Sequence, residues 1–180
     1  MRRLAPRWMA VLLLAAGAAC APLPGQEAPF LETPPRVVDT MLRLAKVSQD
    51  DVVYDLGSGD GRIVIAAASD FGARGVGIEI DPRLVASSTR WAERAGLTER
   101  VRFVQQDIFD ADLRPATVVT LYLTRELNLR LRSKLMVELR PGTRIVSHRF
   151  DMGNWAPQER VNVDMDGFAS VVYLWTIPSK

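Results

Sequence analysis

The sequence predicts an α/β fold, in which a mostly parallel, twisted sheet has helices on both faces and ends in an antiparallel hairpin. Short β-rich runs alternate with helical stretches in five strand-then-helix steps, which is typical of a parallel sheet. The run Ala116 to Leu123 is almost continuously apolar, as expected for a central strand covered on both sides. Two further strand-like runs flank Asp166-Gly167 near the C-terminus, which is a hairpin signal.

The elements of the N-terminal half follow from apolar spacing and from turn residues. Helices are indicated by apolar residues at helical spacing, by an alanine-rich run, and by Pro82 at a favoured first-turn position. The strands are short β-branched runs, and Gly57-Ser58-Gly59 ends the first of them. In chain order we expect helix 37–46, strand 52–54, helix 62–70, strand 75–80, helix 82–95 and strand 101–104.

The C-terminal half is predicted in the same way. Its long helix has leucines on one stripe and basic residues that we expect to form a solvated face, and Pro141-Gly142 ends it. The leucines are Leu127, Leu131, Leu135 and Leu139, and the basic residues are Arg125, Arg130, Arg132 and Lys134. The predicted elements are strand 116–123, helix 124–139, strand 143–147 and hairpin strands 161–164 and 169–177.

Length and charge indicate one folded domain behind a distinct N-terminus. The chain has 180 residues, enough for one sizeable core. Three arginines, Arg2, Arg3 and Arg7, precede the first apolar run. The remaining 20 basic residues are outnumbered by 21 acidic residues, so the rest of the chain has a net charge of −1. A near-neutral domain gives no indication of a nucleic-acid groove.

Residues 1–21 are typical of a signal-like or lipoprotein-type segment. The apolar run is shorter than the roughly 20 residues of a membrane helix and suits a signal h-region. Cys20, the only cysteine, follows small residues as in bacterial lipoproteins, so we weigh its lipidation against ordinary cleavage nearby. We expect a Pro-rich tether over 22–35 and a folded domain over 36–180. We also expect the protein to be exported or membrane-associated, or cytoplasmic if the start codon is misassigned.

A glycine-rich turn after the first strand is the most informative motif. It consists of Asp55-Leu56-Gly57-Ser58-Gly59-Asp60-Gly61-Arg62, and its glycines allow a ligand to approach the backbone closely. Arg62 stands where a dinucleotide fingerprint needs its third glycine, which opposes an oxidoreductase. An acid-led turn suits a ligand with a sulfonium and an ammonium group, which Asp55 and Asp60 could bind directly or through water. The alternative is a glycine-rich turn without a ligand.

Acidic residues also follow the next two strands, where open α/β sheets bind ligands. Glu79 ends the second strand, about 24 residues after Asp55, a spacing at which a carboxylate can accept hydrogen bonds from both ribose hydroxyls. The alternative is a helix cap, which is the role we expect of Asp81. Asp107 follows the third strand and could accept a hydrogen bond from an adenine amino group. A solvated loop acid is its alternative role, and Ile80, Ile108 or Phe109 could flank the ring.

The turn, together with Gly77-Ile78-Glu79-Ile80-Asp81-Pro82, resembles class I S-adenosylmethionine methyltransferases. It resembles the group of FAM173-type protein-lysine methyltransferases and their bacterial relatives more closely, because Thr33-Pro34 is similar to the entry motif of that group and 118–123 to its fourth strand. The likeness covers roughly 29–150. It implies a Rossmann-like fold, S-adenosyl-L-methionine as the cofactor, and closure of Thr33 and Pro34 over the site. The expected cofactor contacts are Asp55, Gly57, Ser58, Gly59, Asp60, Gly61, Glu79, Ile80, Asp107 and Ile108.

The residues expected at the methyl-acceptor end are less distinctive. Many amine methyltransferases have Asn/Asp-Pro-Pro-Tyr after strand four, whereas this chain has Leu121-Tyr122-Leu123-Thr124. Tyr122 could orient an amine as a catalytic residue, or only pack. His148, the only histidine, could be a base, although a lone histidine on a strand is more often structural. No His/Cys cluster indicates a metal.

We therefore expect an S-adenosylmethionine-dependent methyltransferase that N-methylates a protein lysine. The alternatives are a small-molecule methyltransferase and a non-catalytic S-adenosylmethionine-binding module. As partners we expect a protein or small-molecule methyl acceptor, no nucleic acid, and membrane association through the N-terminus, with the chain itself a monomer.

Overall fold

The computed structural model describes residues 30–165 and 167–179, with the side chain of Phe168 excepted. The predicted targeting segment, Cys20 and residues 22–29 of the predicted tether lie outside the described residues. The elements in chain order are α1 (Pro35–Leu44), β1 (Val52–Leu56), α2 (Arg62–Phe71), β2 (Arg74–Glu79), α3 (Pro82–Arg94), β3 (Val101–Gln105), β4 (Val118–Leu121), α4 (Arg125–Glu138), β5 (Arg144–His148), β6 (Glu159–Met165) and β7 (Phe168–Thr176).

The strands form one mixed sheet in the order β3-β2-β1-β4-β5-β7-β6. The first five of these are mutually parallel, and β7 pairs antiparallel with both β5 and β6. The predicted fold class is therefore confirmed, including the C-terminal antiparallel hairpin. The strand order reverses between β1 and β4, and this reversal opens a crevice at the carboxyl ends of the strands.

Each face of the sheet has its own hydrophobic core because successive side chains of a strand point to opposite faces. Val53 packs with α1, α2 and α3 on one face. Its neighbour Tyr54 packs on the other face with the leucine stripe of α4, which begins at Leu127. Trp175 of β7 is fully buried in this second core. The sheet is thus covered on both sides, as the apolar central strands predict.

The prediction of five strand-then-helix steps is wrong, since only β1, β2 and β4 are followed by a helix. Polar turns occupy the connection from β3 to β4 instead. Asp107 Oδ1 accepts a hydrogen bond from the Phe109 amide, and Asp112 Oδ1 accepts one from the Arg114 amide. Such local bonds compete with helix formation. Leu113, which is fully buried, fills the second core from this loop.

Two strand boundaries also differ from the predicted ones. β1 continues through Leu56, so Asp55 lies inside the strand rather than after it. β4 is shorter than predicted and ends at Leu121, which places Tyr122 directly beyond its carboxyl end. Among the residues that the structure describes, no helix is both long and apolar enough to cross a membrane.

Candidate active site

A cleft lies at the carboxyl ends of β1, β2 and β4, where the strand order reverses. Nine of the ten expected cofactor contacts line it: Asp55, Gly57, Ser58, Gly59, Asp60, Glu79, Ile80, Asp107 and Ile108. Tyr122 and Thr33 line it as well. Gly61 and Pro34 are not among the lining residues. The topology therefore brings together side chains that the sequence separates by up to about 90 residues.

The glycines of the turn have left-handed backbones and tight surroundings. Gly59 has φ +54°, and a Cβ there would lie 2.3 Å from the ring of Phe30, which covers the turn from the entry segment. Gly61 has φ +85° and precedes α2. A Cβ there would lie 2.4 Å from the ring of Phe103, so Gly61 permits packing of the turn against β3.

Asp55 is a buried acid at the centre of the cleft. It is 2% exposed, and its Oδ1 accepts a 2.7 Å hydrogen bond from Thr120 Oγ1 of the neighbouring β4. The pKa of Asp55 is raised to about 7, because burial, together with the negative charges of Glu79 and Asp60, outweighs the lowering effect of the Thr120 hydrogen bond. A cationic ligand group beside this buried carboxyl group would stabilise its ionised form.

Glu79 stabilises the cleft by accepting hydrogen bonds from three backbone amides. Its Oε2 accepts from the Gly59 amide at 2.9 Å, and its Oε1 accepts from the amides of Ile80 and Asp81 at 2.8 and 2.9 Å. No local sequence pattern indicates this link between the turns after β1 and β2. A carboxylate has about four acceptor sites, so capacity for a ribose hydroxyl remains. Asp81, not Glu79, caps α3 by accepting from the Arg83 amide at 2.8 Å, as predicted.

The far end of the cleft is apolar and follows β3. Asp107 is half-buried there, and its Oδ1 accepts from the Phe109 amide at 2.9 Å. Ile80, Ile108 and Phe109 line the cleft beside it. The arrangement combines a hydrogen-bond acceptor with apolar walls, as a purine ring requires.

Arg62 ties the entry segment, residues 30–34, to the glycine-rich turn. Its guanidinium hydrogen-bonds both carboxylate oxygens of Asp60, donates to the Thr33 carbonyl at 3.0 Å and pairs with Glu32 at 3.0 Å. Thr33 itself is 4% exposed. In the sequence alone, Arg62 is informative only because it stands where a dinucleotide fingerprint has its third glycine. The Asp60-x-Arg62 spacing is the one available signal, but it does not indicate a partner 29 residues away.

Tyr122 lines the cleft beyond the end of β4, and His148 packs directly behind its ring. Their ring centroids are 4.0 Å apart with planes tilted by 39°, and Tyr122 lines the cleft while His148 is 2% exposed. Burial and the nearby Arg149 lower the pKa of His148 to about 4. His148 is therefore neutral near pH 7 and poorly placed to exchange protons with solvent, which favours its structural role over that of a base.

No cluster of three metal-ligating side chains occurs within residues 30–165 and 167–179.

A solved structure shows what such a cleft binds in a relative. The RNA methyltransferase of Salinibacter ruber, solved in complex with S-adenosyl-L-homocysteine, is 56% identical to this chain with a TM-score of 0.78. The match covers 83% of this chain and 95% of that one. Fold and cleft thus define a class I, S-adenosylmethionine-dependent methyltransferase, and S-adenosyl-L-methionine is the cofactor.

Sequence comparisons identify the family. The ANTKMT methyltransferase domain matches residues 55–159. A protein-lysine N-methyltransferase of Saccharolobus islandicus is 45% identical over 150 residues, which are 83% of this chain and 93% of that protein. The adenine nucleotide translocase lysine N-methyltransferase of Mus musculus is 36% identical over 146 residues, 81% of this chain and 63% of that protein. The chain belongs to the ANTKMT methyltransferase domain family.

The residues of the cleft fit this cofactor. Ser58 Oγ lies in the turn, is buried, and has no hydrogen-bond partner among the described residues. A buried hydroxyl without a partner is costly, so a polar ligand group would relieve it. Gly57 exposes its backbone next to Ser58, and acidic side chains stand at the ends of three strands. Polar, cationic and aromatic parts of the cofactor each have a matching surface.

Proposed function

We propose that the chain N-methylates lysine side chains of a protein. The observation that supports this most is the 45% identity to a protein-lysine N-methyltransferase over 93% of that protein. The likeness to a second lysine N-methyltransferase, from Mus musculus, supports the same activity.

In this proposal each side of the cleft has a separate task. Asp55 binds the ammonium group of the cofactor, directly or through water, and the glycine-rich turn with Ser58 encloses the polar end. Glu79 binds the ribose, and Asp107 accepts from the adenine amino group between Ile80 and Ile108. Thr33 and Pro34 close over the site. Tyr122 receives the amine of the acceptor.

The chain has to align an amine and keep water out. The bound cofactor supplies a methyl group on a sulfonium sulfur, so attack by the amine nitrogen forms an N–C bond, breaks the S–C bond and leaves a thioether. The acceptor amine must arrive neutral, because an ammonium has no lone pair, and burial against Tyr122 lowers the pKa of a lysine. The proton leaves the product nitrogen to solvent. Positioning and exclusion of water are then the contribution of the protein.

RNA is the acceptor named for the relative from Salinibacter ruber, and it is the competing proposal. The basic residues of α4 do not favour it. Arg125 pairs with Asp151 at 3.5 Å, Lys134 pairs with Glu138 at 2.7 Å, and Arg132 donates to the Met152 carbonyl at 3.1 Å. Phosphate binding depends on basic groups that neutralise the nucleic-acid backbone, and these three already have partners. A small-molecule acceptor is the second alternative.

Transfer of a labelled methyl group tests the proposal. The purified chain is incubated with methyl-labelled cofactor and either cell protein or total RNA, and products are then treated with protease or ribonuclease. We expect protease-sensitive label that hydrolysis releases as N-methyllysine. Asp55→Asn should remove the labelling, whereas Asp39→Asn, an exposed acid on α1, should preserve it. Ribonuclease-sensitive label, or label only in small molecules, contradicts the proposal.

We also propose that the N-terminal segment associates the enzyme with a membrane or directs its export. Arginines before a short apolar run and Cys20 after small residues support this. Cell fractionation with N-terminal sequencing of the mature protein tests it. Recovery of an uncleaved, unlipidated chain in the cytosol contradicts it.

A further inference from the structure

We propose that His148 is a positioning residue that fixes the ring of Tyr122 at the acceptor end of the cleft. The inference rests on the proposed function, in which Tyr122 receives the acceptor amine. His148 itself does not line the cleft, so it acts through Tyr122.

The sheet register places the two residues side by side. Leu121 pairs with Ser147 in the parallel ladder between β4 and β5. Tyr122 follows Leu121 and His148 follows Ser147, so the two side chains are neighbours across the two strands. Their ring centroids lie 4.0 Å apart. A half-buried tyrosine that contacts the cleft therefore has a fully enclosed imidazole behind its ring.

The imidazole is held in place from a third strand. His148 Nε2 hydrogen-bonds with Ser170 Oγ of β7, and both side chains are buried. His148 lies opposite Val172 in the antiparallel ladder. Rotation of the imidazole would break a buried hydrogen bond, so the ring is a rigid support for Tyr122.

The backbone around His148 is fixed just as firmly. Asn128 of α4 is fully buried and donates through Nδ2 to Ser147 Oγ and to the Phe150 carbonyl, both at 3.1 Å. Arg149, which lies between these two partners of Asn128, has φ +69°. The Phe150 amide donates to the His148 carbonyl at 2.9 Å. A non-glycine residue in the left-handed region is strained, and such strain persists where the surroundings over-determine it, often at functional sites.

The electrostatics of the pair suit an amine acceptor. Burial keeps the pKa of His148 near 4, so the imidazole is uncharged near pH 7 and does not repel an approaching amine. The aromatic face of Tyr122 also favours the cationic product nitrogen. A rigid, uncharged aromatic wall is thus presented to the nitrogen.

Three variants separate positioning from simple packing. His148→Phe retains a ring behind Tyr122, His148→Ala removes it, and Ser170→Ala removes only its anchor. For each we propose kcat and KM with the methyl acceptor, calorimetric Kd for S-adenosyl-L-homocysteine, and NMR of ¹³C-labelled tyrosine rings. The chain has three tyrosines, so Tyr122→Phe assigns the signal of Tyr122.

We expect His148→Ala to lower kcat by about tenfold, because small misplacements of reacting groups are costly, and to shift the ring signal of Tyr122. The Kd for S-adenosyl-L-homocysteine should stay within about twofold of wild type, because His148 does not line the cleft. His148→Phe should recover most of the kcat, and Ser170→Ala should lie between. Thr143→Val, which removes a buried hydroxyl before the other end of β5, is the matched control and should leave kcat unchanged.

An unchanged kcat and ring signal in His148→Ala overturns the inference. So does a parallel loss of cofactor affinity, or a His148→Phe variant no better than His148→Ala, since both indicate a general packing defect. If His148→Ala does not fold, His148→Phe and Ser170→Ala decide the question. The ring signal is read without an acceptor, so the inference and the proposed lysine specificity fail independently.

Discussion

Arg62 Nη1 donates a 3.0 Å hydrogen bond to the main-chain carbonyl of Thr33, 29 residues earlier in the chain. The same guanidinium is bound to Asp60 in the glycine-rich turn. One side chain therefore holds the entry segment, residues 30–34, over the cofactor end of the cleft. A glycine at position 62, as in dinucleotide sites, would leave that segment without this attachment.

Replacement of Arg62 tests this attachment. Arg62→Gln removes the salt bridges to Asp60 and Glu32, so we expect a roughly three- to tenfold weaker Kd for S-adenosyl-L-homocysteine, equivalent to about 1 kcal/mol. The entry segment should also become more sensitive to protease. Arg43→Gln is the matched control, because Arg43 pairs with Asp39 on the exposed side of α1. Equal affinity of wild type and Arg62→Gln would show that the segment needs no such anchor.

Cofactor affinity should depend on pH through Asp55. Its pKa of about 7 means that the carboxyl is mostly protonated below that pH, and only the carboxylate attracts an ammonium group. We expect the affinity for S-adenosyl-L-homocysteine to rise about tenfold between pH 5.5 and 7. Calorimetry at several pH values measures this, and the Asp55→Asn variant should bind weakly with a flat profile. A flat profile for the wild type contradicts the role of Asp55.

Asp55 should also lower the stability of the unliganded protein at neutral pH. The carboxyl binds its proton more tightly in the folded state, where its pKa is about 7, than in the unfolded chain, where the value is 3.8. Its contribution to the unfolding free energy is therefore complete below about pH 4 and is lost as the pH rises through 7. At pH 8 we expect Asp55→Asn to be more stable than wild type by up to about 4 kcal/mol, with little difference at pH 4. Denaturant titrations at both pH values measure this; a less stable variant at pH 8 would mean that burial is not the dominant effect.

Glu79 is expected to support both the turn and the cofactor. Glu79→Gln places an NH₂ group against at least one of the three backbone amides that the carboxylate accepts from. An unsatisfied buried donor costs about 1–3 kcal/mol, so the variant should lose thermal stability and bind S-adenosyl-L-homocysteine more weakly. Glu99→Gln, at an exposed position, is the control. Normal stability with lost binding would instead assign Glu79 to the ribose alone.

Much of the fold and of the cleft could be predicted because it depends on local patterns. Apolar runs located the strands, and acidic residues at strand ends, such as Glu79 and Asp107, were predicted to meet at one edge of a parallel sheet. Contacts between distant segments could not be predicted. The link from Arg62 to Thr33 and the ring contact between Tyr122 and His148 depend on register and side-chain direction, which no local pattern contains. The count of five strand-then-helix steps failed at β3, which is joined to β4 by short polar turns instead of a helix.

Calorimetric titration of the purified chain with S-adenosyl-L-homocysteine is the decisive measurement for the cleft, because it requires no knowledge of the acceptor. We predict saturable one-to-one binding, strong weakening by Asp55→Asn, and no binding of NAD. A correctly folded protein that shows neither heat nor thermal stabilisation with this ligand would contradict the assignment of the cleft.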